Sequence, residues 1–245
     1  MDEEGRPRLL DRLLDPASFV REVDSRVVQP AWRTVSREES RIASSIAVLV
    51  AIFLEATLPS RIANHPRSVI PALALVLLIA TLGIAPRRYE RSKLLRALML
   101  LVILVMSIGN IASGIRLIAD LINGTGIRDA GELLWVGGSI WFTNVIVFSL
   151  WYWEFDRGGP AARALGARSY PDFLFPQMTQ EHISPPEWDA QFLDYFYLSF
   201  TNATAFSPTD VMPLSRWAKA AMLVQSAFSL AIAILVIARA VNVLK

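Results

Sequence analysis

Three ionisable residues sit inside the first and third apolar runs of this 245-residue chain: Glu55, Arg116 and Asp120. A charge in hydrocarbon costs about 2.5–3.5 kcal/mol on insertion scales, so each needs a partner or a wet cavity. At roughly 100° per residue, Gly109, Ser113, Arg116 and Asp120 share one narrow helix face. The small pair Gly109-x-x-x-Ser113 lets a neighbouring helix approach closely. Ser44, Ala51 and Glu55 share a face of an earlier run. Both runs cross in the same direction, so Glu55 and Arg116 fall at similar depth. The expectation is a Glu55–Arg116–Asp120 charge cluster between two helices, serving either as a helix lock or as a proton or ion relay.

A second candidate is the polar stripe Gln225, Ser229, Val236 and Arg239 on the last apolar run. Such a stripe faces a bundle or water. The structural alternative is interhelical hydrogen bonding, with Arg239 reaching out to the interface. Asn110 and Asn144 read as interhelical hydrogen-bonding residues. A third candidate is the order Phe192–Phe206, then Ser207-Pro208-Thr209-Asp210, then Val211-Met212-Pro213, then Arg216-Trp217-Ala218-Lys219. A half-helix that ends near the membrane middle can aim its backbone dipoles at an ion, and an unwound turn behind it can offer carbonyls.

The rest of the chain must position these groups. Hydrophobic residues make up 53% and charged residues 19%, with a mean hydropathy of +0.41. That balance excludes a disordered or fibrous chain and implies an all-α, polytopic membrane bundle. Cysteine is absent, which removes disulfides and thiol chemistry. His65 and His182 are too few for a histidine metal site. No nucleophile elbow, HExxH, P-loop or GxGxxG is present, so no enzyme activity and no cofactor are expected. The net charge of +2 gives no reason to expect nucleic acid as a partner.

Residues 1–41 form a charged arm, with an amphipathic helix expected at about 16–29. The S-R-E-E sequence at 36–39 is a capping box that opens the first membrane helix. Apolar spans follow at 42–58, 69–85, 97–122 and 133–153. A proline-rich polar connection covers 154–187, and the last helix runs about 214–244. Lysine and arginine concentrate in the arm and in the segments 87–96 and 157–168. Only Arg61, Arg67 and Arg128 fall on the other side of the first four spans. The positive-inside rule therefore places the N-terminus in the cytoplasm of a cell (inner) membrane protein.

Residues 188–243 resemble the pore loop and inner helix of potassium-channel-type proteins. Ala203 and Thr204 match that pattern's threonine region, Asp210 its aspartate and Pro213 its proline. Trp217 and Lys219 match the start of its inner helix. The resemblance implies a pore mouth formed by Thr204, Phe206, Ser207, Pro208, Thr209 and Asp210. It also implies monovalent cations as ligands and a homo-oligomer, a tetramer if the protein is a channel. The departure falls on the filter, where Phe206-Ser207-Pro208-Thr209 stands in place of V-G-Y-G. Glycines there permit the backbone that turns every carbonyl inward, whereas proline fixes φ and removes an N–H. A potassium-selective ladder does not follow from this sequence. The chain is also similar to uncharacterised bacterial inner-membrane proteins, through Ser199-Phe200-Thr201, Asp210 and Ala240-Val241-Asn242.

Orientation leaves two arrangements for residues 188–207. They can span fully, for six helices in all, which their length favours, or re-enter from the cytoplasm and leave five. Three functions are carried forward. The first is a cation conduit in which Gln225 faces the passage, and the second is a non-conducting membrane scaffold or sensor. The third is a small-molecule transporter in which Asp194 and Arg239 handle substrate.

Overall fold

The computed structural model describes residues 39–63, 68–84, 93–124, 127–179, 188–204 and 210–243. Its helices are α1 (Ile42–Thr57), α2 (Val69–Ile84), α3 (Lys93–Asn123), α4 (Ala130–Phe155), α5 (Pro160–Ala164), α6 (Phe192–Thr204) and α7 (Arg216–Val243). Two short strands, β1 (Phe173–Leu174) and β2 (Met212–Pro213), form an antiparallel pair. The expected helix at 16–29 and the capping serine at 36 lie outside the described residues.

Three helices, α3, α4 and α7, are long and apolar enough to cross a membrane, and α1 and α2 are shorter apolar helices. Large side chains such as Phe53, Val76, Ile108, Ile115, Leu223 and Ile237 are exposed on the outer faces of α1, α2, α3 and α7. The two largest fully buried side chains, Trp153 and Tyr152, lie at the end of α4, which packs against α1, α3, α6 and α7. Helix α4 is the hub of the bundle.

Local chemistry explains its boundaries. Asp129 caps α4, its carboxylate accepting from the Glu132 N–H at 2.7 Å. At the other end Arg157, Gly158 and Gly159 all take positive φ, which stops the helix before Pro160 opens α5. A Cβ on Gly159 would lie 2.9 Å from the Glu154 carbonyl oxygen, at a φ of 95°. Only glycine fits that position.

Helix α6 is short. Its thirteen residues reach about 20 Å, short of the roughly 30 Å of a hydrocarbon core. It runs antiparallel to the second half of α4: Phe192 meets Trp153, Phe196 meets Phe142, and Phe200 meets Trp141. It therefore ends beside the middle of α4. The chain is back at the starting end by Met212 and Pro213, where β2 pairs with β1 and the Leu214 N–H donates to the Asp172 carbonyl. Helices α6 and α7 both start from that end. The described helix is shorter than the 188–207 segment expected to cross, and its contacts lie along the second half of α4.

Candidate functional site: two buried polar regions and a polar seam

The connection after α4 is a folded polar cap. The Asp156 carboxylate is fully buried and accepts from four groups. Its Oδ1 takes the Asp172 and Phe173 N–H groups at 2.9 and 3.3 Å, and its Oδ2 takes the Tyr195 hydroxyl at 2.6 Å and Arg157 Nε at 3.3 Å. Arg157, buried with a φ of 52°, also donates to Asp189, and its backbone N–H donates to Asp172 at 3.0 Å. Asp172 accepts the Trp217 indole N–H at 2.7 Å. Arg163 donates to the Trp153 and Asp156 carbonyls and lies over the rings of Trp153 and Tyr195.

The cap also holds the start of the bundle. Arg41 donates to the buried Glu154 carboxylate at 2.8 Å, and Arg96 reaches the same residue's carbonyl at 3.2 Å. Glu39 accepts the Trp153 indole N–H and the Phe192 N–H, both at 2.7 Å. Burial raises the Glu39 carboxyl above its usual range, and these two donors pull it back. One cap thus ties together the chain before α1 and the ends of α1, α3, α4, α6 and α7 on one side of the bundle. Its charges answer one another, as buried ions must.

A polar seam runs from the cap into the bundle. The Tyr152 hydroxyl donates to Gln225 Oε1 at 2.7 Å, and Asn202 Nδ2 donates to the same oxygen at 2.8 Å. Gln225 Nε2 donates to the Ser199 carbonyl and hydroxyl at 3.0 and 2.7 Å. The Ser199 hydroxyl in turn donates to the Val145 carbonyl at 2.7 Å. The Ser226 hydroxyl binds Asn202, and Asn144 donates to the Ser229 hydroxyl at 2.8 Å. Gln225 and Ser229 are fully buried. Of the stripe expected from the sequence, these two members face α4 and α6. Arg239 stands half-buried further along, its Nε without a hydrogen-bond partner.

The remaining pore-like residues are divided. Thr204 is exposed at the end of α6, and its hydroxyl donates to that helix's own carbonyls. Asp210 is exposed, while Phe206, Ser207, Pro208 and Thr209 lie outside the described residues. Asp194 accepts the Gln191 N–H at 2.8 Å at the start of α6.

The third region lies at the far end of α1. Glu55 is 3% exposed, and its Oε1 accepts the Ser113 hydroxyl at 3.2 Å. Its Oε2 is buried with no hydrogen-bond partner. The Gly109–Ser113 notch receives the carboxyl as the spacing suggests. The expected cluster with Arg116 and Asp120 does not form: both are half-buried on α3, and neither bonds to Glu55. Helix α3 presents Gly109 and Ser113 to Glu55, while Arg116 and Asp120, on the same face one to two turns further on, do not reach it. Arg61, beyond α1, pairs with Glu132 at 3.3 Å instead.

Sequence reasoning missed the cap. Its signal was the run Asp156-Arg157-Gly158-Gly159-Pro160 directly after an aromatic helix end. Adjacent charges beside a forced helix stop mark a folded corner better than a solvated loop. Among family models, characterised proteins and solved structures, none matches this chain.

Proposed function

We propose that the chain is an integral membrane protein in which α6 is an internal half-crossing wedge, and that it acts as a non-conducting, non-enzymatic scaffold or sensor. The exposed apolar faces of α1, α2, α3 and α7 suit a lipid bilayer. The lysine and arginine distribution favours the cap, and with it the N-terminus, in the cytoplasm of a bacterial inner membrane. There the charged arm of residues 1–41 meets soluble partners.

One observation carries this reading: the Gln225 amide is saturated inside a single subunit, bonded to Tyr152, Asn202 and Ser199. A pore on a ring of subunits would need that stripe turned toward the shared axis. A competing reading, a cation conduit with its mouth at Thr204 and Asp210, draws on α6 stopping halfway with both residues exposed.

Cation flux in liposomes, with the particle mass measured in parallel, separates the two. The scaffold reading expects the flux of empty liposomes. Flux that disappears in Asp210→Ala, from a particle of four subunits, would establish the conduit.

A further inference from the structure

The Glu55 pocket differs from every other buried charge described. Helix α1 supplies the carboxyl, α3 supplies Gly109 and Ser113, and α2 closes the pocket with Ile70. A Cβ on Gly109 would lie 3.0 Å from Glu55 Oε1 and 2.9 Å from the Ile70 Cγ2 methyl. The carboxyl is therefore pressed against bare backbone, with a methyl group beside it. Its one hydrogen-bond donor is a neutral hydroxyl.

Among the described residues no countercharge reaches the pocket from the packed elements; His65 and Arg67, before α2, lie outside them. Helix α2 has no ionisable residue. On α3, Arg116 and Asp120 are the nearest such residues in sequence to Ser113, and neither bonds to Glu55. On α4, Glu132 is engaged by Arg61. A buried carboxylate without a cation or a set of donors is strongly disfavoured, whereas a neutral acid needs only one acceptor or donor contact. Glutamine or leucine would fill the same space without that problem. Glutamate at this position has a use when it can take up and release a proton.

We propose that Glu55, cradled by Gly109 and Ser113, is a membrane-buried proton-binding site that holds a proton in the resting protein. The ligand is the proton itself. The Glu55 carboxyl and one serine hydroxyl are too few for a sodium or potassium ion, which takes several oxygens. The site lies apart from the Gln225 seam, and it does not depend on whether the protein conducts.

A hydrophobic carbodiimide tests this directly, because it reacts with protonated carboxyls in apolar surroundings. The acid proton moves to a carbodiimide nitrogen and the carboxyl oxygen adds to the central carbon. Acyl transfer to nitrogen then fixes the adduct, and nothing leaves. With the full chain in liposomes, dicyclohexylcarbodiimide should add one reagent mass at Glu55. Labelling should fall as pH rises and be absent in Glu55→Gln.

Infrared spectra provide the second measurement. A carboxylic-acid carbonyl band at neutral pH should be present in the native protein and missing from Glu55→Gln. A native spectrum without that band, a band that persists in Glu55→Gln, or labelling only at exposed carboxylates such as Glu132 would overturn the proposal.

Discussion

Arg41 and Glu55 lie about 20 Å apart along α1, and each belongs to a buried charged region of a different kind. At the Arg41 end, Glu154, Asp156, Arg157, Arg163, Asp172 and Asp189 form a network in which each charge meets an opposite charge, an amide or an aromatic face. At the Glu55 end, a single carboxyl has one neutral donor and one bare oxygen. The difference separates structural from functional burial. A closed network fixes geometry, because removing any member leaves another charge stranded. An uncompensated acid fixes little and remains able to exchange its proton.

Substitutions in the cap should therefore be the most damaging. Asp156→Ala removes the acceptor of four donors, one of them the Arg157 guanidinium. The expected loss is about 3–5 kcal/mol, read as a failure to remain folded in detergent on heating. If Asp156→Ala melts like the native protein, the cap is not the closed lock described here.

Gly159→Ala should come next. It forces a side chain into a backbone region reserved for glycine and against the Glu154 carbonyl, at a cost of about 1–3 kcal/mol. Gly158→Ala in the same assay provides a comparison: its φ of 88° carries the same backbone strain, but its Cβ would meet the Ala162 methyl at 3.2 Å and Arg168 Nε at 3.6 Å rather than a carbonyl.

In the seam, Gln225→Leu leaves the Tyr152 hydroxyl and the Asn202 amide without their shared acceptor, for about 1–3 kcal/mol. Cation flux should be unchanged. Ser229→Ala, which removes one acceptor from Asn144, should cost only about 0.6 kcal/mol. Outside both regions, Arg61→Ala should change stability by about 0–1 kcal/mol, since the pair with Glu132 is nearly half exposed on both sides. A large effect there would show that the far end depends on surface charge rather than on the Glu55 pocket.

The long helices were legible in the sequence because apolar runs end at chemical stops. The run 97–122 becomes α3 at Lys93–Asn123, and 133–153 becomes α4 at Ala130–Phe155. The early start of α4 reflects the Asp129 cap, which the weakly apolar Ala130-Gly131-Glu132 concealed from a hydropathy reading. The half-length of α6 was not legible. Its composition suits a longer helix, and its place is set by contacts from distant residues: Glu39 on the Phe192 N–H, Asp156 on Tyr195, and β1 on β2.

The sites follow the same division. Helical spacing brought Gly109 and Ser113 to Glu55, because one helix face is a local property. It could not exclude Arg116 and Asp120, because where the end of α1 falls along α3 is a matter of tertiary packing. The cap was invisible for a related reason. Charges in a proline-rich connection read as solvated until segments more than a hundred positions away cover them.

The absence of cysteine from the native chain makes one test of the central claim unusually direct. Ser229→Cys is nearly isosteric, and Asp210→Cys marks an exposed position. Each variant, in liposomes, is exposed to a membrane-impermeant thiol reagent from both sides. If the seam is sealed inside one subunit, the cysteine at 210 reacts and the cysteine at 229 does not. Rapid modification at 229 would place that face in water, contradict the closed seam and favour a conducting passage.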